Sequence, residues 1–332
     1  MELDCTFSRL ISLKKPMFRS SVIFLTFSLL ASFFTVAQER PDTSFTFPIR
    51  QAAHQPGAGP LILVDEAHNN THSINGRFFA FSKLLRQDGY RVLPLITPII
   101  TPELLRSCGI LVIANALDSS NLGNWVLPTP SPFMKEEIQI IKEWVKEGGS
   151  LLLIADHMPF AGAAYKLGKV FGFEFINGFA FFAYESWPPM VFSADSGSLP
   201  QTPVSAGIRE YEQVDRVATF TGSAIYVPDV ATPVLSFLDG LTLQPDTAWI
   251  FYNWTPWENL GRYHQGAIRT CGKGKVAVFG ETDMFTAILA NDSVAVGFNS
   301  PYARQNAQFT LNLIHWLDGV EEYQGEIVGS GQ

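Results

Sequence analysis

From residue 60 onward the chain alternates short apolar runs with stretches of helical periodicity, which predicts an α/β fold: a doubly wound, mostly parallel sheet with crossover helices. "LILV" (61–64) is the first strand. The helix after it sets Phe78, Phe81 and Leu85 on one face and ends at Asp88-Gly89, where glycine can take the left-handed position. "YRVLPLI" (90–96) and "GILVIANA" (109–116) follow as strands, with a short helix around "TPELLRS" between them. Ser131-Pro132 reads as a helix start, Ser as N-cap and Pro at the first helical position, with Glu136 and Glu137 near the positive end of the helix dipole. That helix carries Met134, Ile138, Ile141 and Val145 and stops at Gly148-Gly149. "SLLLIAD" (150–156) is apolar without alternation, the mark of a strand buried on both faces.

After about residue 172 the regularity falls. Residues 173–265 read as a β-rich, aromatic-rich insertion, with "AIYVPD", "PVLSFLD" and "TAWIFYNW" as its candidate strands. The α/β pattern then returns: "GAIRTCGKGKVAVFG" predicts a hairpin turning at Gly272-Lys273-Gly274. Ser300-Pro301 caps a last helix with Phe309, Leu313 and Trp316 inward, closed by Gly319. The folded domain is expected over 60–320, preceded by a linker at 38–59 and followed by a flexible tail at 321–332.

Residues 1–37 have the form of an export signal: Lys14, Lys15 and Arg19, then the 16 residues "VIFLTFSLLASFFTVA", then small residues at Thr35 and Ala37 where a signal peptidase cuts. A run of that length falls short of the roughly 20 residues that span a bilayer, so an exported protein, periplasmic or extracellular, is expected, with no stable membrane span after cleavage. Removing the segment takes away four basic and two acidic groups, and the net charge goes from −8 to −10. Such a balance disfavours nucleic acid and anionic lipid as partners. Cys108 and Cys271 remain in the mature chain and are expected as free, buried thiols.

In open parallel sheets, ligands gather beyond the carboxyl ends of the strands, where strand order reverses. If the second and third strands flank the first, the crevice opens above strands one and three. The groups that follow the strands are then Asp65, Glu66, His68, Asn69 and His72 after the first, Asn115 after the third, and Asp156 and His157 after the fourth. Asp156, His157 and Glu66 are the catalytic candidates, because a carboxylate orienting a histidine can do acid/base work once partial burial moves a pKa toward neutrality. Asp65, His68, Asn69, His72 and Asn115 are candidates for holding a small polar ligand. His68, His72 and Asp156 are the candidate ligands of a divalent metal, the one cofactor this composition suggests. The loop has a second reading, in which "NNTHS" only caps the helix start. "GETDMF" (280–285) likewise places Glu281 and Asp283 on the crevice rim or, in the other reading, Thr282 or Asp283 at a helix N-terminal cap. Aromatics around Glu185 would form a lid or a sugar-stacking wall, or ordinary packing. A phosphate-cradling glycine loop, a G-x-S-x-G elbow and a zinc cysteine pair are all missing from the sequence.

The segments "ILVDEAHNN", "GILVIANA", "EEIQIIKEWVKEGGSLLLIADHMPFAGAA", "GKGKVAVFGETDMF" and "NAQFTLNLIHWL" together resemble a bacterial family of unknown function in the class I glutamine amidotransferase-like group. That group includes trehalose-utilisation-type proteins and gliding-motility accessory domains. The resemblance, over roughly residues 60–318, implies a flavodoxin-like sheet. It also implies a cysteine nucleophile at the turn after the strand that follows the "GG" helix end. Here that turn reads Ala155-Asp156-His157, so glutamine amidotransfer by a cysteine triad is not expected. What is expected is a hydrolase using carboxylate, histidine or metal on a small polar, sugar-like ligand, or else a non-catalytic binding or complex-assembly module.

Overall fold

The computed structural model describes residues 39–97, 99–182 and 189–320. Four consecutive parallel pairings build its centre. Strands β1 (Leu61–Asp65), β2 (Arg91–Leu95), β3 (Cys108–Ala114) and β4 (Ser150–Ile154) lie in the order β2-β1-β3-β4. The insertion supplies β5 (Glu174–Ile176), β6 (Ala224–Tyr226) and β7 (Thr232–Ser236), and the late hairpin supplies β8 (His264–Cys271) and β9 (Gly274–Phe279). Strand β9 pairs parallel with β4, and β8, β6 and β5 then extend the sheet antiparallel, with β7 also on β8. The result is a nine-stranded, parallel-rich mixed sheet.

Its apolar runs are continuous because both faces are covered. Successive residues divide between two cores: Ile62, Val64, Leu152 and Ile154 face helices α1 (Phe79–Gln87) and α4 (Asn306–Asp318). Leu63, Leu151 and Leu153 face α2 (Lys135–Glu147) and α3 (Phe160–Lys169). The strand period of two therefore delivers alternate side chains to opposite helix layers. The hairpin turns where expected: Gly272 has φ +65°, and a Cβ on Gly274 would come within 2.2 Å of two carbonyl oxygens of the α2 C-terminal turn.

Some expectations need correction. Residues 39–59 are no linker: Glu39–Pro41 pairs with Ala287–Ala290, and Phe45, Phe47, Ile49 and Ala53 pack on the core. Three strands of the 173–265 insertion join the main sheet. Helix α2 starts at Lys135, after Ser131-Pro132, because Glu137 reaches back to accept a hydrogen bond from the Met134 N–H at 2.8 Å. Helix α4 starts at Asn306, five residues beyond Pro301, although its close at Gly319 (φ +79°) is as read. "TAWIFYNW" forms no strand beyond a single bridge at Thr247, and Trp249 has φ +67°. Cys108 is buried, which pushes its thiol up to about 12, while Cys271 is half-buried; both are free. The expected export signal at 1–37, the expected tail at 321–332 and Glu185 lie outside the described residues.

Leu152 is fully buried in β4, so Leu152→Ala should lower the urea unfolding free energy by about 3 kcal/mol. Leu238→Ala, at a position 54% exposed, should change it by less than about 0.5 kcal/mol.

Candidate functional site

The switch point expected above β1 and β3 is present, because β2 and β3 flank β1, and the candidate crevice lies above it. Its floor is a knot of hydrogen bonds beyond β3, β4 and β9. The strand ends interlock first: the Asn115 N–H donates to Ile154 O, and the Ala155 N–H to Phe279 O. Asn115, in the left-handed region at φ +48°, then turns its side chain sideways, accepting from the Asp156 N–H and donating to Thr282 Oγ1. The Asp156 carboxylate accepts three hydrogen bonds: Thr282 Oγ1 at 2.8 Å, Thr221 Oγ1 at 3.1 Å and the His157 N–H at 2.7 Å. Asp156 is thus fixed at the turn that follows β4.

Beside this knot lie His72 and Asp283. His72 is 1% exposed; its Nδ1 hydrogen-bonds with Thr71 Oγ1, and its Nε2 has no partner among the described residues. That Nε2 faces Asp283 Oδ1 at 3.9 Å. Burial, with some help from Arg77, pushes the His72 imidazole down to about 3. Burial and the neighbouring Asp156 push the Asp283 carboxyl up to about 6, against the pull of Arg77 and His157. Of the two groups, Asp283 is therefore the one that exchanges a proton near pH 6, while His72 stays neutral. Arg77 and Glu39, partly exposed and near the pair, mark its mouth with an ion pair, and burial raises Glu39 despite that pairing. Glu281 stays below, accepting the Asp283 and Met284 N–H groups at 2.8 Å each. The cap at 280–285 is thus made by Glu281, and Thr282 is free to serve the knot.

The first half of the opening loop does different work. His68 Nδ1–H donates to both Asp65 oxygens at 2.9 Å, and its Nε2 lies 3.4 Å from Glu137 Oε1. Asn70 donates to Asp65 Oδ2 and to Ala114 O. Burial opposes charging of His68, but the Asp65 hydrogen bond and the two carboxylates outweigh it and raise its pKa. Glu66 accepts the Ile74 N–H at 2.7 Å, and Asn69, at φ +52°, donates to Leu117 O. Asp65, Glu66, His68 and Asn69 thus brace the loop against β3 and α2, while His72 and Asn115 reach the knot.

His157 turns from Asp156 into aromatic surroundings. Its Nδ1–H donates to Met158 O at 2.6 Å, its ring stacks on Phe179 at 4.3 Å, and Trp249 and Trp125 meet it edge-on. The metal expectation also needs correction: His68, His72 and Asp156 do not converge, since both His68 nitrogens face carboxylates elsewhere. Among the described residues no group of three or more His, Cys, Asp or Glu side chains is arranged to hold a metal ion. Sequence reasoning missed Arg77, Glu39, Thr221 and Glu137. Only Glu137 carried a usable signal, three residues past the Met134 N-cap at the spacing of a capping box.

No family model and no curated protein matches the chain. Among solved structures, the mmIFT52 N-terminal domain aligns with a TM-score of 0.53 at 16% identity, covering 77% of this chain and 97% of that one. Likeness at this level is one of fold, a mixed α/β architecture with a large parallel-rich sheet. Two structures align more loosely, each with a TM-score of 0.39. A ThuA-like protein from Bacteroides uniformis is 12% identical, covering 82% of this chain and 94% of that one. A GMP synthase-type protein from Thermoplasma acidophilum is 11% identical, covering 82% and 98%.

Because the folded-state pKa of His68 lies above its ordinary 6.5, the stability it contributes is complete below that value and is lost as pH rises through the folded pKa. His68→Gln should therefore cost on the order of 3 kcal/mol near pH 6, and the gap to the unmodified protein should narrow toward pH 9, as read by urea unfolding across pH. A constant gap would contradict a charged His68.

Proposed function

We propose that the crevice binds a small polar, hydroxyl-bearing ligand and hydrolyses it, with Asp283 as the proton donor. The observation that carries this reading is the His72–Asp283 pair: a buried ring nitrogen without a hydrogen-bond partner among the described residues, facing a carboxyl that titrates near pH 6. Buried polar atoms are nearly always satisfied, and the exceptions gather where a ligand or reaction supplies the missing partner. Arg77 and Glu39 at the mouth offer a donor and an acceptor to the ligand, and Asp156 fixes Thr282 and Thr221 beneath it. Strand order β2-β1-β3-β4 supports a flavodoxin-like, amidotransferase-like assignment, and Asp156 at the elbow argues for chemistry other than cysteine-based amidotransfer. The signal-like residues 1–37 support export, and no helix among the described residues is long and apolar enough to cross a membrane.

A second reading, a non-catalytic binding module, draws on Asp156, both of whose oxygens are engaged within the protein. A panel of chromogenic glycosides and esters, run beside thermal shift with mono- and disaccharides, separates the two. For the hydrolase, turnover should fall at least about 100-fold in Asp283→Asn and decline above about pH 6, as the donor loses its proton. Sugar-induced stabilisation with no turnover would favour the module. Absence of both responses would defeat the ligand assignment.

A further inference from the structure

A cavity of about 240 Å³ runs along one face of α4 and shares no residue with the crevice. Gln308, Leu311 and His315 line it at helical spacing, with Arg304 from the turn before the helix, opposite Arg50 and Tyr211. We infer that it is a binding site for a small carboxylate.

The charge distribution favours an anion there. Two carboxylates touch the cavity, and both are consumed inside the protein. Asp88 is 0% exposed and accepts from the Ala53 N–H and from His315 Nε2–H at 2.6 Å. Glu212 is 3% exposed and accepts from the Ile208 and Arg209 N–H groups and from the Arg209 guanidinium. The two guanidiniums are in the opposite condition. Arg50 lies over the Tyr211 ring at 5.0 Å, which holds it at the rim without neutralising it. Neither Arg50 nor Arg304 has a carboxylate partner among the described residues. A pair of unneutralised cations around a concavity is notable in a chain of net charge −8.

His315 supplies an independent observation. It is 3% exposed, with Nε2 committed to Asp88 and Nδ1 without a partner among the described residues. A ligand that brings a polar group against this ring, while its carboxylate meets the guanidiniums, would satisfy both. The volume lies below the range of about 300 Å³ and more that holds drug-sized ligands, which points to a metabolite-sized acid.

Isothermal titration with malate and citrate, with inorganic phosphate and uncharged glycerol alongside, tests the site. Arg50 and Arg304 are exposed and support no other contact beyond Tyr211, so Arg50→Ala/Arg304→Ala should fold normally. Malate or citrate should bind saturably, more weakly as salt is raised, with at least a tenfold loss in that double variant and none in Asp283→Asn. The assignment is overturned by absence of saturable carboxylate binding, by a loss of less than tenfold, by binding of phosphate alone, or by loss in Asp283→Asn, which would move the ligand to the crevice.

Discussion

Strands β1, β3, β4 and β9 lie side by side with apolar helices or loops on both faces, and a charged side chain within them would have nothing to pair with. Burying an unpaired charge costs far more than the few kcal/mol by which a domain is stable. Polar chemistry is therefore expelled to the strand ends. There the staggered ladder, with the Asn115 N–H on Ile154 O and the Ala155 N–H on Phe279 O, carries the register slightly past the strands. Asn115, Asp156 and Thr282 arrive as neighbours although they are far apart in the chain. The site is a consequence of how the sheet terminates.

At those ends two buried ionic groups behave differently. Asp65, His68, Asn70 and Glu137 form a closed set whose donors and acceptors find one another, so they stiffen the first loop against the sheet and α2. His72, Asp283 and Glu39 form an open set: a nitrogen without a partner and carboxyls that burial pushes toward the neutral form. A closed network resists change, whereas an open one leaves proton positions to be decided by whatever enters. Only the open set has the properties a ligand can use, and its His72 lies a few residues along the same loop from the closed one.

Apolar runs such as 150–154 made the central strands legible, since nothing but burial on two faces explains a strand without alternation. Helix ends were legible where glycine forced them, at Gly89 and Gly319, and less so at starts, where Glu137 displaced the apparent cap at Ser131. The place of the switch point was legible only on the supposition that the second and third strands flank the first, which the sheet order bears out, and His72, Asn115 and Asp156 were named with it. The division of labour among the loop residues was hidden, because it depends on Glu137 from α2 and Asp283 from beyond β9. Thr221 and Glu39 come from stretches without periodicity, where sequence spacing holds no information about which side chains meet.

Strand Glu39–Pro41 binds the far end of the chain: the Arg40 side chain meets Asp292 across 252 positions, and Glu39 closes the mouth on Arg77. Loop-closure entropy rises slowly with length, so this pairing costs little more than a nearer one, but it can form only after most of the chain is in place. The mouth is thus a late-assembled part on an early-assembled sheet. Its integrity reports on completion of the whole fold, and it can be lost by local opening of one three-residue strand while the nine-stranded sheet stays intact.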